Sequence, residues 1–197
     1  MVRIVSSTLL DISMATRSTS PTSPTNSSPP THPCLLEAVD DRNRPLAVLT
    51  RDDVHRQGLC HRRCVMVAFS GNGRLCLRRR AMDEDSFPGR WDFPVSRHVP
   101  AGDSHEEVIE NMLDRLRGLH VLVLQPVRTL PAASQSGQEF LTIFQAQAKL
   151  KKSLELAALD RIEAERLATD YPDQLTPLLV HLWRSGILPS LWMSEEI

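Results

Sequence analysis

Residues 87–104 read Phe-Pro-Gly-Arg-Trp-Asp-Phe-Pro-Val-Ser-Arg-His-Val-Pro-Ala-Gly-Asp-Ser, and they run straight into an amphipathic stretch that ends at Gly118. The Pro-Gly pair at 88–89 demands a loop, because proline lacks an amide donor and glycine admits positive φ. Ser104 is an N-cap and Glu107 completes a capping box, so a helix is expected over 104–118 with Gly118 as its stop. Val108, Ile109 or Met112, Leu113 and Leu116 form its apolar face. Glu106, Glu110 and Asp114 recur at steps of four and form its solvated face.

Outward from this segment the chain alternates strands and helices. Residues 63–70 are an aliphatic, β-branched strand. Gly71-Asn72-Gly73 is a hairpin turn, and 74–80 is the return strand with Leu75 and Leu77 on one face. Upstream, 35–39 and 45–50 form a small hairpin around residues 40–43, with Asn43 as a turn residue. Downstream, 119–126 and 140–148 read as strands, 154–168 as a helix, and 174–183 as another with Pro177 in its first turn. This order predicts an α/β protein, a mixed sheet with helices on its faces.

The chain has 197 residues, 41% hydrophobic and 24% charged, with a formal net charge of −1. That balance argues against a nucleic-acid coat or a polybasic membrane anchor. No apolar run approaches the roughly 18 residues of a membrane span. Residues 2–12 are too short and too broken by Ser6, Ser7 and Asp11 for a signal peptide. Residues 16–33 are Ser, Thr and Pro apart from Arg17, Asn26 and His32. Such a segment has no apolar surface to offset its ordering entropy. The expected organisation is a disordered tail over 1–33 and one folded domain over 34–197. The four cysteines (Cys34, Cys60, Cys64, Cys76) need not pair in a chain of this size, and a reducing, cytoplasmic compartment is the default expectation. Cys60 and Cys64 lack a second pair at metal-ligand spacing and read as core or loop thiols.

Across 37–118 the sequence resembles the Nudix hydrolase superfamily, in particular its branch similar to type 1 isopentenyl-diphosphate isomerase. The residues that carry the resemblance are Glu37-x-x-Asp40, His55, His61-Arg62, Arg78-Arg79-Arg80, Phe87-Pro88-Gly89-x-Trp91-Asp92 and His98-Val99-x-x-Gly102-Asp103-Ser104. Gly137-Gln138-Glu139-Phe140 and Tyr171-Pro172-Asp173 match further downstream. The resemblance implies an α/β/α sandwich around a mixed sheet. It also implies hydrolysis of nucleoside-diphosphate-linked or other phosphoanhydride substrates by Mg²⁺ or Mn²⁺ held on helix glutamates.

The superfamily signature, aligned on Gly102, Leu113, Gly118 and Leu119, finds those glutamates replaced. Arg97 stands at its first glycine, Asp103 at its first glutamate and Asn111 at its arginine. Met112, Arg115 and Leu116 stand at the metal-binding glutamates. An impaired or inactive hydrolase serving as a ligand-binding module is therefore expected. The alternative is an active metal-dependent diphosphohydrolase with relocated carboxylates, drawn from Asp103, Glu107 and Glu139. The isomerase branch implies a different metal set, which matches His61, His98, Glu139 and, with a spacing one residue off, His55. These suit a His-bound transition metal. The catalytic cysteine of that branch is Ser96 here and its first glutamate is Gly137, which counts against isomerisation. Arg80, Trp91, Arg97 and Arg115 are the expected contacts to a small phosphorylated ligand, with Trp91 and Phe87 either walling the pocket or filling the core. A homodimer and a pure interaction module remain open alternatives.

Overall fold

The computed structural model describes residues 3–4, 34–151 and 153–192. The expected tail falls outside these residues except for a two-residue strand, β1 (Arg3–Ile4). One sheet carries, side by side, β1, β8 (Leu119–Leu130), β9 (Glu139–Leu150), β4 (His61–Ser70), β5 (Leu75–Arg79) and β10 (Leu156–Leu159). Two short strands extend it: β6 (Trp91–Asp92) pairs with β5 and β7 (Val95–His98) with β4. Strands β4 and β9 run parallel, whereas β8 with β9 and β5 with β4 and β10 are antiparallel. The expected hairpin is a separate two-stranded ribbon of β2 (Leu35–Val39) and β3 (Pro45–Thr50), turning at Asn43 with φ +61°.

Helices cover both faces, giving the α/β/α sandwich that the resemblance implies. Strand alternation assigns the faces. On β4, Val65, Val67 and Phe69 point to the layer of α3 (Arg161–Asp170), α4 (Pro177–Arg184) and α5 (Ile187–Trp192). Cys64, Met66 and Ala68 point to α2 (His105–Leu113), which buries Val108 and Ile109 against them. These β4 side chains are at most 1% exposed, and each such large aliphatic or aromatic group contributes roughly 1.5–3 kcal/mol. Cys64 and Cys76 lie in this core, where burial pushes both thiols up to about 12.

Several elements depart from the sequence reading. Helix α2 has the expected Ser104–Glu107 capping box but stops at Leu113. The chain then tightens into turns, with Arg115 N–H donating to Met112 O and Leu116 N–H to Leu113 O. Gly118, at φ +82°, serves the turn into β8, not the helix end. The expected helix over 154–168 is two elements. Its apolar run Leu156–Leu159 is edge strand β10 on β5, and Asp160 then caps α3 in a box with Glu163. A four-residue apolar run carries no period that separates a buried helix turn from a strand. Pro177 is at the first turn of α4, as expected. A short helix, α1 (Arg51–Arg56), follows the hairpin, capped by the Thr50 side chain.

The resemblance residues of the hairpin are structural. Asp40 accepts from the backbone N–H of Arg42 and Arg44, and Glu37 pairs with Arg62 at 2.5 Å. The Arg62 guanidinium also grips Asn43, so the hairpin is latched to the start of β4.

Asp92, 3% exposed, ties the 81–90 loop to α4. Its Oδ1 accepts from Phe93 N–H at 2.8 Å and from the Thr176 hydroxyl at 2.9 Å, and its Oδ2 accepts from Arg80 at 3.0 Å. Removing Asp92 leaves Arg80 its contact to Glu84 but takes the acceptor from the buried Thr176 hydroxyl and Phe93 N–H, and each unsatisfied buried group costs about 1–3 kcal/mol. Asp92→Ala should therefore lower the unfolding free energy by about 3 kcal/mol, and Asp92→Asn by less. Urea denaturation measures both, and a loss below about 1 kcal/mol for the alanine variant contradicts this network.

Candidate metal centre

The alternation that packs β4 also builds the site. His61 and Arg63 continue the Val65–Val67–Phe69 stripe towards the start of the strand, beyond the helices that cover it. Parallel pairing sets His61 directly beside Glu139 on β9. Antiparallel pairing sets Arg63 beside His98 on β7. Side chains directly opposite on neighbouring strands lie within contact distance, so three strands deliver two histidines, a carboxylate and a guanidinium to one spot. Helix α1 adds His55 from outside the sheet.

The three imidazoles converge. Ring centroids are 4.8 Å apart for His55–His61, 4.9 Å for His55–His98 and 5.0 Å for His61–His98. One nitrogen from each lies within 4.8 Å of the others. Glu139 Oε1 lies 3.0 Å from His98 Nε2, 3.5 Å from His61 Nε2 and 3.3 Å from Arg63 Nε.

The His61 ring is 1% exposed and its Nδ1 lies 2.9 Å from Leu59 O. A carbonyl only accepts, so Nδ1 carries the proton and Nε2 presents a lone pair. That buried Nε2 has no hydrogen-bond partner, nor does the buried Nε of Arg63. A buried polar atom left unpaired costs free energy, and a carbonyl-fixed imidazole with its other nitrogen free is the arrangement of a metal ligand. The donor set, three imidazoles and one carboxylate, suits zinc or another first-row divalent metal. On these grounds the residues fit a bound cation.

The electrostatics agree. Burial pushes the Glu139 carboxyl up, but the adjacent His61 and His98 imidazoles and the charge of Arg63 outweigh it and hold it down at about 2. Burial pushes His98 down to about 4 against its hydrogen bond to Glu139, and it also lowers His55. At neutral pH His55 and His98 are thus neutral and Glu139 is ionised.

The cluster opens into a cavity of about 500 Å³, lined among others by Arg51, Arg63, Arg80, Arg97, Phe87 and Ser96. Arg80, expected at the ligand, lines it, but its guanidinium already holds Asp92, Glu84 at 2.8 Å and Ser86 O at 2.7 Å. Among the described residues Arg97 forms no ion pair. Desolvation and the neighbouring charges of Arg78, Arg80 and Arg63 lower its guanidinium against the opposing pull of Glu84. Ser96 lines the cavity at the position implied for the isomerase cysteine.

Other expected site residues lie elsewhere. Trp91 packs against the α4-side core under Arg79 and is not a wall of the cavity. Arg115 is exposed on the turn after α2. Glu107 accepts from the N–H and hydroxyl of Ser104 in the capping box, and Asp103 is exposed beside it. No residue of α2 lines the cavity, because that helix packs on the opposite face of the sheet. Of the relocated carboxylates only Glu139 is in place. Cys60 Sγ lies 3.9 Å from Gln138 Oε1, and Cys64 faces the α2 core and donates to Arg97 O. The reading of residues alone missed Arg63, Arg51 and Asp52 at the cavity. The period-two spacing of His61 and Arg63 was the available signal.

No family model matches the chain. An uncharacterized Nudix hydrolase of Pseudomonas aeruginosa, PA4841, is 31% identical over 91 residues, 46% of this chain and 54% of that protein. An uncharacterized Nudix hydrolase of Streptomyces coelicolor is 35% identical over 74 residues, 37% of this chain and 40% of that protein. An isopentenyl-diphosphate Delta-isomerase of Dictyostelium discoideum is 32% identical over 70 residues, 33% of this chain and 28% of that protein. The chain thus spans about half or less of the length of these relatives. Among solved structures, DR0079 from Deinococcus radiodurans superposes with a TM-score of 0.61 at 16% identity, covering 77% of this chain and 98% of that one. The fold is the expected Nudix-type sandwich, and the chain is related in sequence to Nudix hydrolases and isopentenyl-diphosphate isomerases.

The buried centre makes the metal-free fold sensitive to acid. His98 is held below its ordinary value of 6.5, so the unfolded chain takes up the proton first. That stability is complete above pH 6.5 and is lost as pH falls towards 4. Glu139 is held below 4.5, and its share is lost as pH falls from 4.5 towards 2. Both act in the same direction. The melting temperature of metal-free protein should fall between pH 7 and 4, and His98→Gln should flatten that slope. A slope identical in the variant contradicts the assignment.

Proposed function

We propose that this Nudix-fold protein, related to Nudix hydrolases and isopentenyl-diphosphate isomerases, binds a phosphoanhydride ligand at a histidine-held metal in the cavity of His55, His61, His98 and Glu139. In this reading it has lost hydrolysis by the carboxylate centre of the α2 helix. The observation that carries the proposal is the unpartnered, buried Nε2 of His61, fixed by Leu59 O and aimed at the meeting point of the other two imidazoles and Glu139.

When bound, a divalent cation there supplies charge neutralisation and Lewis acidity to a diphosphate. The chain's own residues do the rest. Arg63 sits against both Glu139 and His98 and holds them in register. Arg97 and Arg51, at the cavity wall, supply donors for phosphate oxygens. Arg80 keeps the 81–90 loop in place through Asp92 and Ser86. The hydroxyl of Ser96 is neither acidic nor nucleophilic without an activating base, so isomerisation is disfavoured. The loss of α2 carboxylates is the loss of several kcal/mol of transition-state stabilisation in the family's hydrolysis.

A second reading, hydrolysis relocated to the histidine centre, is favoured by the ionised Glu139 beside it. One experiment separates the two. Full-length protein is titrated with Zn²⁺, Mn²⁺ or Co²⁺, then with inorganic pyrophosphate, and phosphate release is followed with and without chelator. We expect one metal per chain, metal-dependent pyrophosphate binding and no chelator-sensitive turnover. His61→Ala and Glu139→Gln should each weaken metal binding about tenfold or more. Turnover that vanishes in Glu139→Gln establishes the second reading. Metal affinity unchanged in His61→Ala refutes both.

A further inference from the structure

Arg63 is the member of the histidine cluster that cannot ligate a metal, since a guanidinium has donors and no lone pair to offer. The stripe Val65–Val67–Phe69 fixes its face of β4, and pairing with β7 sets it beside His98. Its side chain is 21% exposed, and it lines the cavity. A permanent positive charge thus stands inside a set of cation ligands.

Among the described residues its guanidinium makes only loose contacts. Nε lies 3.3 Å from Glu139 Oε1 without forming a hydrogen bond, and it remains a buried donor with no partner. Nη2 lies 3.3 Å from His98 Nε2. That nitrogen is also 3.0 Å from Glu139 Oε1, which only accepts. A protonated Nε2 donates to Glu139 and meets Arg63 donor to donor. An unprotonated Nε2 accepts from Arg63 and meets the carboxylate lone pair to lone pair. One of the two contacts is therefore always unsatisfied. Arg80, by comparison, holds its partners at 2.7, 2.8 and 3.0 Å.

A cation held by His61, His98 and Glu139 competes with Arg63 for the one carboxylate between them. Two positive charges a few ångströms apart in a buried site repel. A weakly anchored guanidinium at the edge of a cavity can turn away, and the work of turning it away is subtracted from the affinity of the incoming ion.

We infer that Arg63 is a built-in counter-cation: it neutralises Glu139 in the metal-free chain, competes with a divalent ion for that carboxylate, and so sets the affinity an ion needs to occupy the histidine centre. This inference rests on the proposed metal site and names the side chain that governs its occupancy. Such a threshold admits ions with a strong preference for imidazole, such as Zn²⁺, ahead of Mn²⁺.

The test measures Zn²⁺ affinity of full-length protein by competition with a fluorescent chelator, with His61→Ala in each background to subtract zinc held elsewhere. Arg63→Met removes the competing charge and should tighten zinc binding about tenfold or more. The zinc-induced rise in melting temperature should grow with it. A merely structural role for Arg63 moves both in the opposite direction. Arg63→Lys should stay within about threefold of wild type, because its ammonium carries the same charge. Arg63→Gln, also neutral, should show the same gain as Arg63→Met and replaces it in the test should the methionine variant not fold. Zinc affinity unchanged or weaker in the neutral variants, or a gain in Arg63→Lys equal to theirs, overturns the inference and leaves the metal site standing. Zinc uptake by Arg63→Met but not by wild type overturns the proposed function and supports the inference. Zinc uptake by neither overturns both.

Discussion

The register between β4 and β9 is the constraint on which the site depends. Parallel pairing sets His61 against Glu139 and continues, two residues at a time, through Val65 against Ile143 and Val67 against Gln145. A slip of one residue would turn His61 and Arg63 into the α2 layer and the aliphatic stripe out of the α4 layer. The hydrophobic burial that fixes the register of the sheet therefore also fixes the polar cluster at its end. That coupling explains how an unpaired imidazole nitrogen persists at 1% exposure: its cost is small against the apolar contacts that would be lost by moving the strand.

The sandwich separates two tasks by face. On the α2 side the signature helix keeps its cap, its apolar stripe and its solvated acidic stripe, but Met112 and Leu116, which stand in the place of metal-binding carboxylates, pack against the core. On the α4 side the histidines, Glu139 and the arginines gather around the cavity. Helix α2 serves as a packing element, and the side chains grouped to hold a cation lie on the sheet and on α1. Arginine is abundant around the cavity, and much of it is already engaged. Arg80 is bound to Asp92 and Glu84, Arg63 to Glu139, and Arg51 more loosely to Asp52 at 3.5 Å and Asp85 at 3.8 Å, which leaves Arg97 as the cavity arginine with no ion pair among the described residues.

Much of the scaffold was legible because short-range chemistry decides it. The Asn43 turn, the Gly71–Gly73 turn, the Ser104 capping box and Pro177 at a helix start all follow from one or two residues. The resemblance selected His61, His98 and Glu139, and these converge. Errors arose where local signals were neutral or misleading. The run Leu156–Leu159 took strand form because the edge of β5 was free to pair. Trp91 and Arg115 sit at suggestive positions in the chain but pack or project elsewhere.

The sequence by itself determined most of the element types, the capping box of α2 and the set of residues able to bind a cation. Tertiary structure alone decided which of those residues meet. His55, His61, His98 and Glu139 are separated by up to dozens of positions, and only strand register and the docking of α1 bring them together. It also decided the exposure of Phe87, since a ring held at positive φ needs a clamp of arginine-to-backbone hydrogen bonds that no local pattern encodes. The reason is physical. Periodicity and capping act within a few residues, whereas cross-strand register comes from summed burial over the whole sheet.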